Sequence, residues 1–345
     1  MKKKEEKRRK KLRTLILLLF LTIIMFGTAT YAWFTANRNV TISTLNVHVE
    51  ASNGLQISTN ANNWKSVITN ADITTYAYEN NTNMLPANVS NVSTNGDVNS
   101  TTGKMYMYKP TITTDANTGN YVISTQADTE AAGTTGNFIA FDIFLRVDSA
   151  QDIYLTNASN VTARQGYDDK GLKNAARVAF VKQGHGASTA SVSTLIGLSN
   201  QIASSAWIWE PNSDAHMQIV TTQVAPEYEV IIGNQQPDEQ HPDVVPDDYT
   251  DYYGVLHEIS TPVNLKNLVN GTDTTNAEEV TPDLRTVYGD TAYHQVFSLA
   301  AGVTKFRVYM WIEGQDIDCE NNATGSDISF NIQLSTESSA PAQNP

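Results

Sequence analysis

Asn137-Phe-Ile-Ala-Phe-Asp-Ile-Phe-Leu-Arg-Val147 is the stretch on which the fold turns. Ile139, Phe141, Ile143, Leu145 and Val147 recur at every second position, while Phe138, Ala140, Asp142, Phe144 and Arg146 fall between them. A period of two is the signature of a β-strand, because successive side chains leave a strand on opposite faces. An apolar face five residues deep places this strand at the centre of a sheet. Two later stretches repeat the pattern. Val303–Glu313 sets Phe306, Val308, Met310 and Ile312 on one face, and Asp327–Leu334 alternates Ile328, Phe330, Ile332 and Leu334.

Shorter strands are expected around these three. Asp152–Thr156 follows the 137–147 strand across a short turn and is expected as its neighbour. Ala292–Leu299 is expected to pair with Val303–Glu313 in the same way. Further strands are read at Trp64–Thr69, Lys104–Pro110, Tyr121–Thr125, Ala175–Val181, Trp207–Glu210, Gln218–Val224, Tyr228–Ile232 and Tyr252–Ser260. Helix signals are sparse. Ser191–Ser205 spaces Leu195, Ile196, Leu198 and Ile202 three or four apart, and Leu265–Val269 has room for a single turn. Residues 79–103, 233–251 and 270–290 read as inserted loops. The first is rich in Asn, Thr, Ser and Gly and is expected as a surface excursion. The second holds three prolines and six acidic residues, and proline cannot donate to a strand ladder. Many short alternating strands with almost no helix imply an all-β protein, a two-sheet β-sandwich of jelly-roll type with long loop insertions and one or two short helices. No repeat of fixed period appears, which argues against a solenoid or propeller. The sandwich is expected to occupy residues 33–336, followed by a disordered polar tail at 337–345.

The first fifty residues carry the functional signal. Between Lys2 and Arg13 there are nine Lys or Arg and two Glu, and Leu15–Phe26 is apolar apart from Thr22. A basic end stays in the cytoplasm while the apolar run enters the bilayer. A cleavable signal peptide has this layout and ends at small residues. Thr30 and Ala32 then occupy the −3 and −1 positions, and Trp33 opens the mature chain. The other reading is an uncleaved transmembrane helix, for which about 20 mostly apolar residues are required and Leu12–Phe34 would serve. Both readings put Asn37 onward outside the cytoplasm, secreted or anchored to the outer face of the membrane. Val40, Ile42, Leu45, Val47 and Val49 then form a strand whose alternation slips once between Ile42 and Leu45, which predicts a β-bulge. Asn53-Gly54 signals a turn, with Leu55–Ser58 as the return strand of a hairpin. A strand close behind a cut terminus also suits donation to a neighbour's sheet.

Gly27-Thr-Ala-Thr-Tyr-Ala-Trp-Phe-Thr35 followed by a Val/Ile/Thr-rich strand resembles the signal class handled by the SipW-type signal peptidase of Gram-positive bacteria. Its substrates are the TasA and camelysin group of surface proteins. The resemblance covers about fifty residues, with a similar general style at Gly54–Ser58, Asn63–Ile68 and Trp311–Gln315. It implies a jelly-roll sandwich, a signal peptidase as processing partner, and assembly with itself into extracellular fibres of a biofilm matrix. In that setting Val40, Ile42, Leu45, Val47 and Val49 are the side-chain plugs of a donor strand.

Composition limits the alternatives. Setting aside the nine basic and two acidic residues of the N-terminal segment from the chain's 23 and 36 leaves 14 against 34, a net charge of −20 on the exported part. Such a body repels nucleic acid and bare anionic lipid. The single cysteine, Cys319, excludes an intramolecular disulfide, so the fold rests on its core. Cys319 itself reads as a small buried hydrophobe.

The motifs of common enzymes are missing. His257-Glu258 lacks the second His four residues on that a zinc peptidase requires, and no Gly-x-Ser-x-Gly elbow occurs. The reading is therefore non-enzymatic. Asp316, Asp318 and Glu320 offer alternate oxygen ligands for calcium at a strand exit, against the plainer reading of a solvated turn. Trp207 and Trp209, two apart on a strand, share a face that would stack on a glycan or pack in a core. The competing function is accordingly an adhesin or glycan-binding module, tethered or secreted, using host or matrix glycans as partners.

Overall fold

The computed structural model describes residues 40–49, 54–75, 83–165, 171–213, 215–219, 228–232, 252–316, 318–319 and 327–340. The N-terminal segment with Thr30, Ala32 and Trp33, the acidic loop at 233–251, and Glu320 lie outside them. Among the described residues no helix is long and apolar enough to cross a membrane.

The protein is all-β, a sandwich of two seven-stranded sheets. The first sheet runs β19 (His294–Leu299), β9 (Gln151–Leu155), β21 (Asp327–Ser335), β1 (Val40–Val49) and β3 (Val67–Thr69). It is joined by β10 (Asn160–Ala163) on β21 and β4 (Asn88–Val89) on β1. The second runs β18 (Leu284–Arg285), β12 (Trp207–Glu210), β11 (Ala176–Gly186), β20 (Gly302–Glu313), β8 (Ile139–Val147) and β2 (Gln56–Ser58), with β5 (Asn91–Val92) on β20. Successive strands swap sheets at β1–β2, β8–β9 and β19–β20–β21, the jelly-roll habit.

The three alternating stretches sit where their patterns demand. Ile139, Phe141, Ile143, Leu145 and Val147 of β8 meet Phe306, Val308, Met310 and Ile312 of β20 and Ile328, Phe330, Ile332 and Leu334 of β21 in one continuous core. Cys319 is buried in the same core.

Pairing departs from expectation in three places. β8 and β9 belong to different sheets, as do β19 and β20, so neither connection is a hairpin. Gly302 carries the second crossing with φ +126°, and a Cβ there would lie 2.5 Å from the Gly186 carbonyl oxygen. Only glycine makes that turn without strain. β1 and β2 are likewise in opposite sheets, which overturns the N-terminal hairpin. The expected helix at 191–205 shortens to one, Val192–Ile196. Ser191 caps its start by accepting from the Thr194 N–H, and Gly197 closes its end. Beyond it the chain bonds along β11 instead, with the N–H groups of Gln201 and Ala203 donating to Gln183 and Lys182.

The outer face of the second sheet is covered as well. The described part of the 79–103 loop, expected to project into solvent, lies on it together with the stretch that follows to Met107. Met84, Val92, Val98, Met105 and Met107 pack with Phe138, Ala140, Tyr309 and Trp311 in a second apolar cluster. Methionines and valines spaced through a polar stretch supply enough burial to order it. Residues 270–290 contribute β17 (Ala277–Val280), paired to β15 (Tyr252–Val255), as well as β18. A three-stranded sheet of β16 (Ile259–Asn264), β7 (Tyr121–Ala127) and β6 (Tyr108–Thr114) packs a cluster of its own with Val255, Leu265, Leu268 and Ala277. A separate ribbon pairs β13 (Ala215–Ile219) with β14 (Tyr228–Ile232).

Candidate assembly site

β1 is the first described element, and its surroundings define a slot. It runs parallel to β21, the last described strand, over eight registered positions from Thr41↔Asp327 to Val49↔Leu334. On its other side β4 pairs with its N-terminal half (Val40↔Val89, Thr41↔Asn88) and β3 with its C-terminal half (Asn46↔Thr69, Val47↔Ile68, His48↔Val67). The Thr41 hydroxyl donates to Asn88 Oδ1 at 3.0 Å. Apolar positions meet apolar ones throughout: Ile42 stands opposite Ile328, Leu45 opposite Phe330, Val47 opposite Ile332 and Val49 opposite Leu334. All four β21 partners are buried, and Val47 is itself in the core. The register shifts once, between Ile42 and Thr44, at the slip read from the alternation.

Several other strand edges among the described residues are blunted. β2, β3 and β18 have three residues or fewer. β6 and β16, at the two margins of the three-stranded sheet, carry Pro110 and Pro262. β19 is bulged between Gln295 and Phe297. Short strands, prolines and bulges all obstruct edge-to-edge pairing.

Asp316, one of the three candidate calcium ligands, is engaged by an arginine. Asp316 Oδ2 accepts from Arg177 Nη2 at 2.5 Å, and its Oδ1 accepts from the Asp318 N–H at 2.8 Å. Arg177 Nη2 also reaches Glu210 Oε1 at 2.6 Å, and Arg285 Nε donates to Glu210 Oε2 at 3.2 Å. Two guanidinium groups thus balance two carboxylates, and Arg177 is 0% exposed. Burial opposes the Arg177 charge, but Glu210 and Asp316 outweigh it and hold the group protonated. A cation at Asp316 would have to displace this arginine. Among the described residues no three His, Cys, Asp or Glu side chains gather to hold a metal ion.

A second ionic group lies on the same outer face. Arg307 Nη1 donates to Asp142 Oδ1 at 2.8 Å, and Lys305 Nζ lies 3.1 Å from Asp142 Oδ2. Glu130, from the covering layer, pairs with Arg307 and accepts from the Tyr309 hydroxyl. Further along β20, Glu313 is buried. Its Oε2 accepts from Trp311 Nε1 at 3.1 Å, and its Oε1 from the Gln315 N–H at 3.2 Å. Burial pushes its carboxyl up to about 8, against the pull of Ser93, Trp311, the Gln315 N–H and Arg177. Sequence reasoning passed over these groups. The available signal was the second face of β20, where Lys305, Arg307, Tyr309, Trp311 and Glu313 alternate with its core residues.

Trp207 and Trp209 offer no sugar platform. Trp209 is 1% exposed, with its Nε1 donating to Thr286 Oγ1 at 3.0 Å. Trp207 packs its ring 5.9 Å from that of Phe180. His257 is exposed, its ring nitrogens against the carbonyl oxygens of Glu258 and Thr275, while Glu258 accepts from the Ala127 N–H.

No protein-family model matches the chain, and neither the curated proteins nor the solved structures contain a match to it.

Proposed function

We propose that this is an exported structural protein of the cell surface or extracellular matrix, built like the TasA and camelysin group it resembles, and that it polymerises by passing β1 to a neighbouring copy. The observation that carries this reading is the seat of β1. The strand lies just behind the proposed export segment in sequence and fills a slot between β21 and β3/β4. Its own chain continues into the opposite sheet, so no hairpin partner holds it in place. The same strand entering the same slot of another copy makes the same backbone pairing and returns Val47 to the same core, as in strand addition generally. The blunted edges of β2, β3, β6, β16, β18 and β19 favour this ordered exchange over edge pairing at those strands.

The test is the growth of scattering mass with time in a chain of residues 33–345, compared with one lacking 33–50. The reading expects polymers from the first and none from the second. Equal polymer growth in the shortened chain would sink it.

A further inference from the structure

The register of β1 holds one residue more than its partner needs. Ile42 faces Ile328, Thr44 faces Ser329 and Leu45 faces Phe330, so Ser43 has no opposite number on β21. Bulges are rare between parallel strands. This one is unnecessary for the apolar match. Without Ser43, Ile42 and Leu45 would be two positions apart and would still meet Ile328 and Phe330, which are also two apart. The flanking pairs would survive too, since Val40 and Thr41 belong to β4, and Asn46, Val47 and His48 to β3. Ser43 sits where the flanking partner changes from β4 to β3. It interrupts the ladder at that junction and returns nothing in register.

We infer that Ser43 is a built-in joint that lets β1 leave its slot in two stages. The short N-terminal half, Val40–Ile42, is held by β4 and the start of β21. It can peel away while Thr44–Val49 remains registered against β21 and β3. A continuous strand would have to release all its pairs together. The inference deepens the strand-exchange reading and rests on it for its use. A β1 strand donated into a neighbour carries the same spare residue into the same slot. The joint therefore leaves the balance between closed and exchanged forms unaltered and acts on the rate of passage between them.

The experiment deletes Ser43 in the chain of residues 33–345 and reads three quantities: thermal midpoint, hydrogen exchange of the Val40–Val49 amides, and polymer growth by light scattering. Ser43→Gly, which keeps the spare residue and loses only its side chain, is the control. The expected result for the deletion is a midpoint higher by about 2–4 °C, slower exchange across β1, and slower growth to the wild-type final mass, with Ser43→Gly growing at least as fast as wild type. A deletion that lowers the midpoint, or leaves β1 exchange unchanged, overturns the joint. If the wild type forms no polymer while the deletion still slows β1 exchange, the joint stands and the strand-exchange reading falls.

Discussion

Arg177 shows how a single side chain can fasten neighbouring strands together. It rises from β11, draws in Glu210 of β12 and Asp316 of the turn after β20, and is shut off from solvent. Removing Arg177 leaves two largely buried carboxylates with Arg285 alone to balance them. Arg177→Met should therefore cost about 3–5 kcal/mol, measured as a shift in the denaturant midpoint. Glu313 makes a different prediction, one of pH. Its carboxyl titrates near 8 in the fold and near 4.3 in an unfolded chain, so the folded state holds the proton more tightly. The stabilising contribution is complete below the unfolded value and is lost as the pH climbs through about 8. Across that window the difference is on the order of 5 kcal/mol. Urea midpoints of the wild type should fall from pH 5 to 8 relative to those of Glu313→Gln, and parallel pH profiles would contradict the assignment.

At the scale of elements, the long alternating strands were legible in the sequence, whereas the short strands β4, β5, β10, β17 and β18 and the pairing partners were not. The alternation in β8, β20 and β21 named their core faces residue by residue, and the slip between Ile42 and Leu45 located the bulge in β1. Alternation is local chemistry, written into neighbouring residues. Which sheet a strand joins is decided by contacts far along the chain. Leu299 and Gly302 are close enough in sequence to suggest a hairpin, yet the turn at Gly302 carries β20 into the other sheet. The covering layer was hidden for a related reason. Met84, Met105 and Met107 look isolated among polar residues until Phe138, Tyr309 and Trp311 are set beside them. The buried ion groups were equally silent, because Glu130 and Arg307 lie far apart in sequence. The edge prolines give this scale its own prediction. Replacing Pro110 and Pro262 by Thr restores an N–H to each margin of the three-stranded sheet. The double variant should form irregular aggregates independent of β1, seen as turbidity that persists when residues 33–50 are removed. A clear solution would show that these margins are guarded by something other than proline.

The described residues form a two-sheet sandwich with further strands packed outside one face, and the first described strand is seated beside the last described one. That seat is the centre of the account. Val47 of β1 is registered against Ile332 of β21, and the proposed polymer keeps this pair while drawing its members from different copies. The most direct measurement combines two variants of the 33–345 chain, both carrying Cys319→Ala, one with Val47→Cys and the other with Ile332→Cys. They are mixed, left to assemble and oxidised, and the linked peptides are identified by mass. The account predicts a disulfide joining Val47→Cys of one chain to Ile332→Cys of another within the polymer. If a double variant closes that bond inside single chains while mixed polymers contain no such link between chains, β1 stays at home and the copies assemble by other means.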